Sequence, residues 1–173
     1  GLISVVSFGF DMSIASVFWP LFDGGTLILP KDGAQNDVHH LRSLIVRYRP
    51  SHWLSVPTLY SLLLEEADLD ASMGLEAVVV AGETCPVELI ARHRKRLPGV
   101  PVHNEFGPAE GTVWCSVERV DEYDYNELPS VPIGKPIAGT RIYLLNDEQA
   151  LAPQGAVGEL YFAGPGVAQG YLN

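Results

Sequence analysis

The segment Asn104-Glu105-Phe106-Gly107-Pro108-Ala109-Glu110-Gly111-Thr112 gathers an amide and two carboxylates around a Gly-Pro break, just after an apolar run. Such a polar loop ends a β-strand with a turn that directs backbone amides and a carboxylate into a crevice. A carboxylate beside a phosphate site can hold Mg²⁺, the chemistry that Glu110 offers; a solvated loop acid is the plain alternative. Asp11 follows a strand and opens an apolar helix, where a carboxylate either caps the helix or pairs with a substrate ammonium. Gly82 and Glu83 end a buried strand. The missing side chain of Gly82 either lets a flat ring approach the backbone or makes an ordinary left-handed turn.

Other reactive side chains form no constellation. His39, His40, His52, His93 and His103 lack zinc-ligand spacing and read as packed or solvated. Cys85 precedes a helix, which can depress a thiol pKa, but no general base accompanies it. Cys85 and Cys115 lack metal or disulfide spacing and read as reduced thiols of a cytosolic, cytoplasmic protein. Trp53 and Trp114, in apolar surroundings, read as core residues.

The elements that must position these groups alternate. Residues 2–8 read as a buried strand; Ile14, Val17, Phe18, Leu21 and Phe22 then recur at helical spacing until Asp23-Gly24-Gly25 stops the helix. Thr26–Leu29 is a short strand, and Asn36 or Asp37 caps a helix bearing Val38, Leu41, Leu44, Ile45 and Tyr48. His52–Val56 is a strand, and Pro57 opens a helix. Glu76–Val80 is an apolar strand, followed by a helix with Pro86 in its first turn and Gly99 past its end. This βαβ alternation predicts a mostly parallel sheet layered with helices, with ligands at the carboxyl ends of its strands. From residue 129 onward Pro and Gly punctuate alternating apolar residues, as in Arg141–Leu145 and Gly158–Gly164. That change predicts an α/β core over 1–128 and part of an antiparallel β-barrel-like subdomain over 129–173.

Composition sets the class. The 173 residues are 47% hydrophobic and 18% charged, ordinary for a soluble α/β protein. The net charge of −10 would repel phosphate backbones. Arg92-His93-Arg94-Lys95-Arg96 therefore suits the negative end of a helix rather than a nucleic acid. No apolar run approaches the ~20 residues of a membrane span. Both ends read as cut inside structured elements, so the chain is expected to be an internal fragment.

Phe10-Asp11-Met12-Ser13, then Asn104 to Glu110, then Gly158-Glu159-Leu160-Tyr161-Phe162-Ala163-Gly164-Pro165-Gly166-Val167-Ala168-Gln169-Gly170-Tyr171-Leu172 stand in a diagnostic order. Together they resemble the middle of a nonribosomal peptide synthetase adenylation domain, in the superfamily of acyl-CoA synthetases and luciferases. The resemblance implies activation of an amino acid with Mg-ATP to an aminoacyl-adenylate. The acyl group then passes to the phosphopantetheine thiol of a carrier domain, among neighbouring synthetase domains and with a small helper protein in some systems. It further implies that Asp11 binds the α-ammonium, that Gly82, Glu83 and Asn104 surround the adenine with Phe106 and Gly107 beside it, and that Glu110 helps hold Mg²⁺.

By the same resemblance the amino-acid pocket falls on Asp11, Met12, Ala15, Leu54, Val79, Ala81, Glu105, Val113 and Trp114. If Glu105 points inward, a cationic or donor side chain on the substrate is its natural match. If it turns to solvent or a cation, the pocket is apolar and Trp114 trims its depth. Three departures stand out: Phe106 where the family has Tyr, Ala109 in place of a phosphate-contacting hydroxyl residue, and Gln169 in place of Arg. The family's Gly/Ser/Thr-rich phosphate loop, ribose-binding segment and catalytic Lys do not occur here, so the isolated chain is expected to be inactive. Two alternatives remain at this stage: an acid–CoA ligase of the superfamily, or a non-catalytic ligand-binding module.

Overall fold

The computed structural model describes residues 1–66, 69–125, 127–128 and 130–172. Seven strands form one sheet: β1 Leu2–Ser4, β2 Leu27–Ile28, β3 His52–Ser55, β4 Ala77–Ala81, β5 Val102–Phe106, β6 Ser116–Arg119 and β7 Lys135–Pro136. Their spatial order is β2-β1-β3-β4-β5-β6-β7. The first five run parallel, whereas β6 and β7 are antiparallel. Four helices accompany them: α1 Met12–Phe22, α2 Val38–Tyr48, α3 Pro57–Glu66 and α4 Val87–Arg96. A second, two-stranded antiparallel sheet joins β8 Arg141–Leu145 to β9 Glu159–Ala163.

Local signals set most helix ends. The Asp37 carboxylate accepts from the amides of His39 and His40, both at 3.0 Å, satisfying two orphan donors of α2. Pro86 stands just ahead of α4 rather than inside it, and the basic run of Arg94 to Arg96 completes its last turn as expected. No helix among the described residues is long and apolar enough to cross a membrane.

Alternation along the strands divides the core. Ile3, Trp53, Val78, Val80 and Val102 face one way and pack with Leu41, Ile45, Leu63, Leu89 and Ile90 of α2, α3 and α4. Leu2, Leu54, Val79 and Ala81 face the other way, where α1 supplies Met12, with Ala15 and Trp19 packed alongside.

Three expectations change. The strand predicted over residues 2–8 ends at Ser4, because the chain turns back at Ser7, whose carbonyl accepts from the Phe10 amide. The apolar stripe of α1 does not face the core: Met12, Ser13, Ser16 and Pro20 are buried, while Phe18 and Phe22 are 63% and 92% exposed. A buried hydroxyl pair, Ser4 to Ser16 at 2.9 Å, fixes that orientation. Finally, Asn104, Glu105 and Phe106 are not loop but the end of β5, paired with β4 on one side and β6 on the other. Ladders on both edges override the low strand propensity of Asn and Glu.

β7, from beyond the residue where the composition changes, pairs with β6 of the first sheet. The predicted boundary abuts residue 129, which lies outside the described residues.

Candidate functional site

A cavity of about 830 Å³ opens at the carboxyl ends of β1, β3 and β4, where parallel α/β sheets bind ligands. Its walls include Phe10, Asp11, Met12, Ser55, Val56 and Gly82. Asp11 reaches it from the turn between β1 and α1. One carboxylate oxygen, Oδ1, accepts from the Met12 amide at 2.7 Å. A carboxylate has room for further donors, so the helix contact leaves capacity for an ammonium at the cavity wall. The cap and ligand readings of Asp11 are therefore compatible. Gly82 has φ +84°, and a Cβ there would sit 3.4 Å from the Met12 methyl, filling the same wall.

Of the predicted pocket residues Asp11 and Met12 line this cavity, and Met12 meets others across the sheet. Met12, Leu54, Val79 and Ala81 are buried in one cluster, with Ala15 and Trp114 packed against it. They come from α1, β3, β4 and the turn after β5. Val113 is also buried but stands outside that cluster. Glu105 lies in register beside Ala81 and Val117, on the same face. Burial alone pushes its carboxyl up to about 7, and no hydrogen bond or ion pair holds it among the described residues.

The predicted nucleotide residues do not converge so simply. Glu83 turns away to the start of α3, where its Oε2 accepts from the Thr58 hydroxyl at 2.6 Å and the Thr58 amide at 3.2 Å. Asn104 is buried on the opposite face from Glu105, and its amide donates to the Pro132 carbonyl at 2.9 Å. Phe106 is partly exposed at the strand end. Gly107 is required sterically: a Cβ would lie 2.4 Å from the Trp114 backbone.

Glu110 sits in a short 3₁₀ turn, Ala109–Gly111, and its Oε1 accepts from the Tyr171 hydroxyl at 2.7 Å. That contact holds the carboxyl below its ordinary range. No group of three potential metal ligands forms among the described residues. Tyr171 had no role assigned from the sequence, because nothing local marks a partner 61 residues away.

Cys85 is not an activated thiol. Pro86 separates it from α4, and burial pushes it up to about 12. His93 is fully buried: Nε2–H donates to the Val100 carbonyl at 2.7 Å, so Nδ1 accepts from the Tyr60 hydroxyl at 2.6 Å. It braces α3 to α4 and does not line the cavity.

The AMP-binding enzyme family matches residues 1–172. Bacitracin synthase 3 of Bacillus licheniformis is 38% identical over 99% of this chain, which covers 3% of that protein. Tyrocidine synthase 3 of Brevibacillus parabrevis is 34% identical over 99% of the chain, again 3% of the relative. Among solved structures, the nonribosomal peptide synthetase FmoA3 with α-methyl-L-serine-AMP bound superposes with a TM-score of 0.92 at 35% identity. The chain is covered to 99% and spans 20% of that structure. An NRPS protein containing adenylation and PCP domains gives a TM-score of 0.84 at 27% identity, with 98% of this chain and 34% of the other covered. The chain thus spans only a small part of the proteins it matches. With the first motif lining the cavity at the strand ends, the second and third hydrogen-bonded to each other, and the family match over residues 1–172, this chain belongs to the AMP-binding enzyme family.

Proposed function

We propose that this chain forms the central part of an amino-acid adenylation domain, which converts an amino acid and Mg-ATP to an aminoacyl-adenylate and pyrophosphate. The observation that carries the reading is Asp11 at the cavity wall beside Met12, which in turn joins Leu54, Val79 and Ala81 in one buried apolar cluster. An ammonium paired with Asp11 would orient the substrate, and the apolar cluster would take its side chain. A carboxylate there would be a poor neighbour for the uncharged chain of a CoA-ligase substrate. Similarity to a synthetase structure with α-methyl-L-serine-AMP bound supports the same chemistry. In such an enzyme the acyl group would pass to the phosphopantetheine thiol of a carrier domain.

The residues fit Mg²⁺. Mg²⁺ keeps several waters and needs only one or two carboxylates beside substrate phosphates, and Glu110 is exposed and held ionised. When bound, the ion neutralises charge on the departing pyrophosphate. The chain's own residues do the rest: Asp11 fixes the amino group, Gly82 leaves a wall open to a flat ring, and the Gly107–Pro108 turn presents backbone to phosphate.

Glu105 narrows the substrate. A half-buried carboxylate without a polar partner fits a side chain that donates a hydrogen bond or carries a positive charge. The test is amino-acid-dependent ATP–pyrophosphate exchange by the domain completed at both ends, with amino acids run beside their des-amino counterparts. Exchange confined to amino acids, strongest with donor side chains, is the expected result. Exchange with des-amino acids alone would transfer the chain to the CoA-ligase branch.

A further inference from the structure

The turn that carries Glu110 is closed by its own backbone, the Gly111 amide donating to the Pro108 carbonyl at 2.8 Å and the Thr112 amide to the Ala109 carbonyl at 3.2 Å, but its exit is strained. Thr112 and Val113 follow it with φ +57° and +79°, left-handed backbone that β-branched residues rarely adopt. Such strain persists only where surrounding structure over-determines it. The support comes from the far end of the chain. Phe162 of β9 presses on Gly111, where a Cβ would lie 3.0 Å from its ring. The Thr112 hydroxyl donates to the Gly166 carbonyl at 2.6 Å, and the Ala168 amide donates to the Glu110 carbonyl at 2.8 Å. The Tyr171 hydroxyl then donates to Glu110 Oε1 at 2.7 Å.

We propose that Tyr171 is a positioning residue for the Glu110 carboxylate, so that the segment after β9 sets the geometry with which this domain takes Mg-ATP. The proposal rests on the reading of Glu110 as the metal-holding carboxylate. Oε1 is fixed by the hydroxyl, and Oε2 remains for the cation, since a carboxylate serves a donor and a cation at once. Holding the side chain in one rotamer removes ordering that the metal complex would otherwise have to impose. The main-chain contacts from Gly166 and Ala168 place the turn, and Tyr171 aims the carboxylate.

The experiment is an electron paramagnetic resonance titration of Mn²⁺ into the complete domain with a non-hydrolysable ATP analogue. It is paired with the Mg²⁺ dependence of pyrophosphate exchange. Tyr171→Phe removes only the hydroxyl of a largely exposed ring. It is expected to weaken Mn²⁺ binding about threefold to tenfold, the net worth of one solvent-exposed hydrogen bond. The Mg²⁺ half-saturation should rise equally, while the amino-acid KM and the thermal midpoint stay unchanged. Thr112→Val should shift Mn²⁺ binding in the same direction by less. Combining Glu110→Gln with Tyr171→Phe should be no worse than Glu110→Gln alone. Normal Mn²⁺ binding in Tyr171→Phe, with weakened binding in Glu110→Gln, overturns the brace and keeps the metal reading. Unchanged binding in Glu110→Gln overturns both.

Discussion

The two faces of the seven-stranded sheet are built from alternate residues of the same strands, yet they serve different ends. On the face under α2, α3 and α4, Trp53, Val78, Val80 and Val102 are essentially sealed from water. Tyr60 is matched there to His93, and His93 to the Val100 carbonyl, whereas the Tyr125 hydroxyl packed against the same cluster has no partner among the described residues. On the other face, among the described residues, α1 and Trp114 give cover, and the cluster of Leu2, Met12, Leu54, Val79 and Ala81 is small. That is also where Asp11 and Glu105 stand. The contrast teaches that dense, sealed packing marks the structural face. Sparser cover, and a Glu105 carboxylate with no partner among the described residues, mark the other.

The sharpest break of that comparison is a cavity on each side. Trp53→Ala, on the sealed face, should cost about 3–5 kcal/mol in urea unfolding. Val79→Ala on the sparser face should cost about 1–2 kcal/mol, because neighbours are fewer and the site can relax. Equal costs, despite the far smaller side chain removed at Val79, would show that the sparser face is the more tightly packed.

Next in size is the ammonium anchor. Asp11→Ala should lower kcat/KM for the amino acid about 100-fold and leave the ATP KM unchanged, the cost of stranding one partner of a charge pair. Equal losses for both substrates would return Asp11 to a purely helical role.

The pH responses of the two faces should run in opposite directions. Burial holds His93 below its ordinary 6.5. Its stabilisation is complete above that value and is lost as pH falls from it towards the lower folded pKa, because the unfolded chain takes the proton first. Glu105 is held up, at about 7. It favours the fold at low pH, and that share is lost as pH rises through about 7. Binding of a cationic side chain should gain as Glu105 ionises across the same range, and Glu105→Gln should flatten that profile. Thermal midpoints and amino-acid KM values across pH 5–8 separate the two residues. The smallest effect belongs to the outward stripe: Phe22→Ser should change stability of the chain by less than about 0.5 kcal/mol.

The sequence by itself carried the order of helices and strands as far as α4, a cap for α2 at Asn36 or Asp37, the end of α1 at Asp23-Gly24 and the basic close of α4. Each follows from periodicity or a cap within a few residues. It also carried the three family motifs and hence the adenylate-forming class. Tertiary structure decided what depends on partners far along the chain. Ser4 and Ser16 turned the apolar stripe of α1 outward. Two-sided ladders drew Asn104 and Glu105 into β5 and sent them to opposite faces. Glu83, read as a nucleotide residue, was drawn to Thr58 at the start of α3, and Tyr171 was brought to Glu110. A side chain's type is local, but its partner is chosen by register and packing, and these appear only when separate strands lie side by side.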